Sequence, residues 1–223
     1  MSYSLSFLVF FKKLKIPTIN SYLLFLNQNT EMKIVFATNN KHKVQEINDL
    51  LPAEIHVLTL EDIGCMEEIE ETASTLEGNA KIKSDHVRLH YQYDCFADDT
   101  GLEVEALNGE PGVYSARYAG ENATFDDNVN KMLEAMKGKK NRQAKFRTVI
   151  SLFINGEQYF FEGICEGEIL RSRKGESGFG YDPIFQPKGH DLSFAEMDMQ
   201  TKGQISHRGL AVKKLINFLK TTT

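Results

Sequence analysis

The chain has 223 residues, 41% of them hydrophobic and 26% charged, with a formal net charge of -5. That length suits one large domain or two small lobes, and the composition is that of an ordinary globular chain. The acidic balance argues against nucleic-acid binding through a broad basic surface, but it leaves room for a local basic pocket around one phosphorylated small molecule.

Residues 1–31 stand apart from the rest. The apolar run from Leu5 to Phe11 meets lysines at once, and it is far shorter than the roughly 20 residues a membrane helix needs. Its positive charge follows the apolar run, where a secretory signal would place it before. We therefore expect residues 1–31 to be an N-terminal extension outside the fold. A single domain is expected over residues 32–223, with no membrane association.

From Met32 onward the pattern becomes regular. Lys33 to Thr38 reads as a buried strand, Asn39-Asn40 as a turn, and Lys41 to Leu51 as a helix that Pro52 stops. Ile55 to Leu58 is a further candidate strand. Residues 61–79 read mostly as acidic loop. Thr75 to about Tyr93 reads as a helix. Phe96-Ala97 leads a short strand into Asp98-Asp99, and Leu102 to Leu107 alternates like a half-exposed strand.

Thr124 suits the cap of a helix with Asp126 and Asp127 in its first turn, ending at Gly138. Thr148 to Ile154 and Gln158 to Ile164 flank Asn155-Gly156, a favoured type I′ hairpin turn. Arg171 to Pro187 reads as glycine-bearing loop, and Gly209 to Lys220 as a last amphipathic helix. A βαβ opening followed by antiparallel strands predicts an α/β fold with a mixed sheet and helices packed around it. The cysteines, Cys65, Cys95 and Cys165, form no C-x-x-C pattern. They read as idle thiols of a reducing, cytoplasmic compartment.

Five segments carry candidate chemistry. Asp98-Asp99 places two carboxylates side by side, which is costly unless something positive neutralises them. A divalent metal would do so, and a capping turn is the plainer alternative. Glu67, Glu68, Glu70 and Glu71 form a second acidic group, readable as metal ligands or as a solvated loop. Thr38-Asn39-Asn40-Lys41-His42-Lys43 lies between strand and helix, where backbone N–H groups and lysines favour phosphate. Ser177 to Pro183 combines glycines with Phe179 and Tyr181, flat faces suited to stacking a base. Lys202 and Ser206-His207-Arg208 add forked and mobile donors before the last helix.

Together these segments resemble the inosine triphosphate pyrophosphatase family over about residues 32–220. The resemblance rests on Thr38 to Lys43, Glu77-Gly78-Asn79-Ala80, Ala97 to Leu102, Gly109 to Tyr118, Phe179 to Pro183 and Ser206-His207-Arg208, all in family order. Many members have Ser at the position of Thr100 and Glu at that of Gly78, departures that remove none of the acids.

The resemblance implies a long mixed central sheet with flanking helices, two lobes around a nucleotide cleft, and a homodimer. It implies Mg2+-dependent cleavage of ITP, dITP and XTP to the monophosphate and pyrophosphate. Asp99 would be the water-activating, metal-associated acid, and Glu70 or Glu71 the other metal ligand. Thr38, Asn39, Asn40, Lys41, His42 and Lys43 would bind the triphosphate, with Thr100 beside it. Phe179, Gly180, Tyr181, Asp182, Lys202, His207 and Arg208 would contain the base and sugar. A pyrophosphatase for modified pyrimidine nucleotides and a non-catalytic nucleotide binder are the rival readings.

Overall fold

The computed structural model describes residues 32–222. The expectation for residues 1–31 lies outside the described residues. The strands are β1 (Met32–Phe36), β2 (Ile55–Leu58), β3 (Cys95–Val104), β4 (Pro111–Gly112), β5 (Gln143–Ile154), β6 (Glu157–Ile169) and β7 (Phe185–Pro187). The helices are α1 (Lys41–Leu50), α2 (Leu76–Tyr91), α3 (Phe125–Ala135), α4 (Met199–Ile205) and α5 (His207–Thr222). Among the described residues no helix is long and apolar enough to cross a membrane.

The strands make one seven-stranded mixed sheet in the order β2-β1-β3-β5-β6-β7, with β4 added on β3. β3 runs parallel to β1 and antiparallel to β5, so it lies inside the sheet. The β5–β6 hairpin is longer than the alternation suggested, pairing Gln143 with Glu168 at one end and Ile154 with Glu157 at the other. Asn155 and Gly156 both take positive φ, 52° and 85°, as a type I′ turn demands.

Local chemistry sets the helix starts. Asn40 caps α1, its Oδ1 accepting from the backbone N–H of His42 and Lys43. Thr75 caps α2, and Thr124 with Asp127 forms a capping box on α3. The short helix α4, capped by Asp198, was not anticipated. α5 begins at His207, two residues before the sequence-based start, and 3-10 and strand turns occupy Asp182 to Pro187 in the expected loop.

The largest departure is at the acid pair. Asp98 and Asp99 do not end a strand; β3 continues through them to Val104, and a 3-10 turn at Glu105–Leu107 follows. Two hydrophobic clusters explain the continuity. Cys95 and Ala97 pack with Val35, Leu60 and Val87 at one end of β3, whereas Leu102 and Val104 pack with Phe146, Phe185 and Phe194 at the other. Both ends are buried hydrocarbon, so the strand must carry its acids through the seam between them.

Two glycines let α5 reach that seam. A Cβ at Gly163 of β6 would lie 2.0 Å from the His207 carbonyl oxygen, and one at Gly209 would lie 1.8 Å from the Gly203 carbonyl oxygen. Only bare backbone permits these approaches. They hold His207 and Arg208 against the centre of the sheet.

Candidate active site

A cleft of about 710 Å3 opens at the seam. It is lined from one cluster by Leu60 and from the other by Phe146 and Tyr181, with Asp99 and Thr100 between. Asp98 does not line it; its carboxylate turns inward and is fully buried. Adjacent residues of a strand face opposite ways, so the pair divides into one buried acid and one facing the cleft.

Asp98 is held by cations. Lys43 Nζ lies 2.9 Å from its Oδ1 and Arg208 Nε 3.1 Å from its Oδ2. Burial alone would raise its pKa, but Lys43, Arg208 and Lys83 outweigh it and hold Asp98 well below the usual carboxylate range. The neutraliser of Asp98 is therefore a set of side chains. Arg208 also donates to Thr100 Oγ1 at 3.2 Å and pairs with Glu46, while Thr100 shares a 2.7 Å hydrogen bond with Thr148.

The network extends from Glu46 on α1. Lys202 donates to Glu46 Oε1 at 2.6 Å and to Asp182 Oδ2 at 2.7 Å, all three side chains being buried. Asp182 in turn accepts from the Phe179 backbone N–H at 2.8 Å, which fixes the aromatic loop. Phe179 lies 5.2 Å from the Lys202 ammonium and stacks on His42 at 5.2 Å between ring centroids. Asp182 thus shapes the wall. The Tyr181 hydroxyl is likewise committed, donating to the Ser115 carbonyl at 2.9 Å.

Asp99 stands in different surroundings. It accepts from Asn79 Nδ2 at 3.1 Å and from the Thr100 backbone N–H at 2.9 Å, and Lys83 Nζ is 4.0 Å from its Oδ1. Burial pushes its pKa up; Lys83 and Lys43 oppose this, and Glu71 adds to it. Lys83 donates to Glu71 and, at 2.6 Å, to the Asp98 carbonyl oxygen. One ammonium therefore serves two carboxylates, leaving an excess of negative charge on hard oxygen donors. That donor set fits a Mg2+ ion. Glu71 is half-buried against Lys83, whereas Glu70 lines the cleft with its side chain exposed.

His207 is buried and stacks on Phe146 at 4.4 Å with an interplanar angle of 13°. Burial and the charges of Arg208 and Lys202 hold its basicity well below the ordinary imidazole value, so it is neutral. Its Nδ1 is buried without a hydrogen-bond partner although the residue lines the cleft.

Most sequence-based candidates converge here: Thr38, Asn39, Asn40, Lys43, Glu70, Glu71, Asp99, Thr100, Phe179, Gly180, Tyr181, Asp182, Lys202, His207 and Arg208 all line the cleft. Lys41 and His42 do not. A helix turns about 100° per residue, so with Lys43 directed inward Lys41 faces outward and is exposed. His42 is exposed and reaches the site only through Phe179 and Phe125. Missed from sequence were Lys83, Glu46 and the wall formed by Ser115, Arg117 and Phe125. Lys83 lies four residues after Asn79 and four before Val87, a buried stripe of α2, but its sequence neighbours Lys81, Ser84 and Asp85 gave no local signal.

A profile described as the Ham1 family matches residues 34–218. The chain belongs to the Ham1 family. Among relatives of this Ham1-family chain, the dITP/XTP pyrophosphatase of Flavobacterium johnsoniae is 58% identical over 86% of this chain and 100% of its own. The dITP/XTP pyrophosphatase of Porphyromonas gingivalis is 55% identical over 84% and 97%. The Ham1 protein of Staphylococcus aureus superposes with a TM-score of 0.78 at 42% identity, covering 86% of this chain and all of that one. These findings bear out the family resemblance and the fold class drawn from the motifs.

Proposed function

We propose that this Ham1-family chain hydrolyses purine nucleoside triphosphates with a keto group at position 6, namely ITP, dITP and XTP, to the monophosphate and pyrophosphate. The dITP/XTP pyrophosphatases that match it along their whole length support this reading. The observation that carries it is the buried, unpartnered Nδ1 of His207 in the same cleft as Asp99 and Glu71. Leaving a buried polar atom unpaired costs about 1–3 kcal/mol, which a ligand atom can offset. As an N–H donor, neutral His207 would match a 6-keto oxygen. Adenine presents an amino donor there, and the same magnitude corresponds to roughly 10- to 100-fold rejection of ATP.

In the proposed reaction Asp99 orients or deprotonates the water that attacks the α-phosphorus. Glu71 and Asp99 would hold Mg2+, which when bound offsets phosphate charge and acidifies water. Lys43 and the backbone at the start of α1 would face the triphosphate, and Lys83 would steady both acids. Guanine also carries a 6-keto group, so GTP must be rejected through its 2-amino group and less completely than ATP. The homodimer rests on the family resemblance alone, and the cytoplasmic setting on the free, buried cysteines.

A panel of ITP, XTP, GTP and ATP with Mg2+, scored for monophosphate and pyrophosphate, tests the reading. ITP and XTP should lead, followed by GTP and then ATP. Release of a diphosphate and inorganic phosphate would overturn the proposed bond cleavage.

A further inference from the structure

A second group of metal-binding side chains lies outside the cleft. Cys65, Glu67 and His86 each bring one ligand atom to a common point, all within 4.8 Å of one another. Among the described residues this is the one cluster of three or more His, Cys, Asp or Glu side chains with that geometry. None of the three lines the cleft.

Two short pieces of sequence build it. Cys65-Met66-Glu67 supplies a thiol and a carboxylate two residues apart in the segment that leads to Glu71. His86 and His90 are four residues apart on α2, hence on one face, and their ring centroids are 4.7 Å apart. Cys65 is buried, His86 half-buried and Glu67 exposed, so the group has a closed back and an open front.

We propose that Cys65, Glu67 and His86 form a three-ligand binding site, open to solvent at its fourth position, for a borderline-soft divalent cation of the Zn2+ type. Thiolate, imidazole and carboxylate in tetrahedral array are the ligands zinc takes, while Mg2+ prefers oxygen alone. The two sites would therefore sort metals by donor chemistry. His86 Nε2 lies 2.9 Å from Glu67 Oε1, and the Tyr91 hydroxyl donates to both Glu67 oxygens at 2.9 and 3.0 Å. Binding forms the metal–sulfur bond and releases the Cys65 thiol proton to solvent. Tyr91 then remains as the outer partner that orients the Glu67 carboxylate.

The location gives the site a structural consequence. Glu67 precedes Glu71 by four residues, and His86 follows Lys83 by three. Lys83 already grips Glu71. A cation at the new site would fasten the same acidic segment to the same helix one turn further along, and so stiffen the approach to Glu71.

Titration of the full chain with Co2+, in excess Mg2+ to fill the oxygen-donor site, tests the proposal by absorption. One equivalent should bind with a near-ultraviolet thiolate-to-cobalt band and tetrahedral visible bands, and Zn2+ should displace it. Cys65→Ser should abolish the near-ultraviolet band, and Cys165→Ser should leave it. His86→Gln and Glu67→Gln change more exposed residues, so they report even if Cys65→Ser folds poorly. Each should weaken Co2+ binding by at least the roughly 10- to 100-fold that loss of an outer-sphere partner costs. Absence of the band, its survival in Cys65→Ser, or unchanged affinity in both glutamine variants would overturn the site.

Discussion

The two halves of the cleft solve their electrostatics differently. On the side of Phe179, three carboxylates, Glu46, Asp98 and Asp182, meet three cations, Lys43, Lys202 and Arg208, in one buried network. Charge is balanced by protein alone, and the wall is built before any ligand arrives. On the side of Asp99, Glu71 and Asp99 share Lys83, so negative charge is in excess. The first arrangement suits recognition, which gains from rigidity. The second suits a cation and a reacting phosphate, whose charges complete it. Asp98 and Asp99, neighbours in β3, fall on opposite sides of this divide.

Exchanging each acid for its amide would expose the division most sharply. Asp99→Asn should lower turnover by about 10^2- to 10^4-fold, the range for a lost general acid–base group, with little change in nucleotide affinity. Pyrophosphate release at saturating ITP measures it, and near wild-type turnover would remove Asp99 from the chemistry. Asp98→Asn should instead act on stability. Removing one member of a buried pair typically costs about 3–5 kcal/mol, and here Lys43 and Arg208 would both be left. Because the folded pKa of Asp98 is depressed, its contribution is present above the ordinary aspartate pKa and lost as pH falls through the folded one. Denaturant melts should show a large deficit for Asp98→Asn at pH 7 that narrows in acid. Equal stability of the two proteins at pH 7 would contradict the network account.

How much of this was legible beforehand follows from the range of each interaction. The cap at Thr124 and the Asn155-Gly156 turn are local devices and were read directly, whereas Thr75 was read as the first residue of a helix that it caps. Asp98-Asp99 was read as the end of a strand because two adjacent charges look incompatible with a buried one. The partners of Asp98 lie 55 and 110 residues away, at Lys43 and Arg208, and those of Asp99 lie on α2, at Asn79 and Lys83, so no local pattern could supply them. Glu46 was hidden for the same reason, since its partners sit on α4 and α5. The candidate residues themselves were legible through motifs in family order. Their division between wall, cleft and outside was not, because that depends on helical phase, as Lys41 shows against Lys43.

Metal addition sharpens the acid side further. Mg2+ at 100 times its dissociation constant should stabilise the fold by about 2.7 kcal/mol, or about 5–10 °C in melting temperature for a domain of this size. Glu71→Gln should lose most of that increment, and Glu70→Gln should keep it, because Glu71 rather than Glu70 packs beside Lys83 and Asp99. Thermal melts with and without Mg2+ measure the difference. The reverse pattern would assign the metal to Glu70.

The smallest expected effect is a displacement along the pH axis. Asp99 must be ionised to take a proton from water, and burial pushes its pKa up. A bound Mg2+ would favour the ionised form, so the comparison is between wild type and variant at one fixed Mg2+ concentration. Lys83 is the largest influence opposing that rise, so Lys83→Met should carry the acid limb of kcat/KM higher still, whatever it does to the plateau. Free-enzyme profiles report this limb. Asp98 stays ionised throughout, because Lys43 and Arg208, the two largest influences holding it low, both remain when Lys83 is removed. A limb that stays in place, or moves to lower pH, would mean that the titrating group belongs to the balanced side of the cleft and that the two halves are not electrostatically separate.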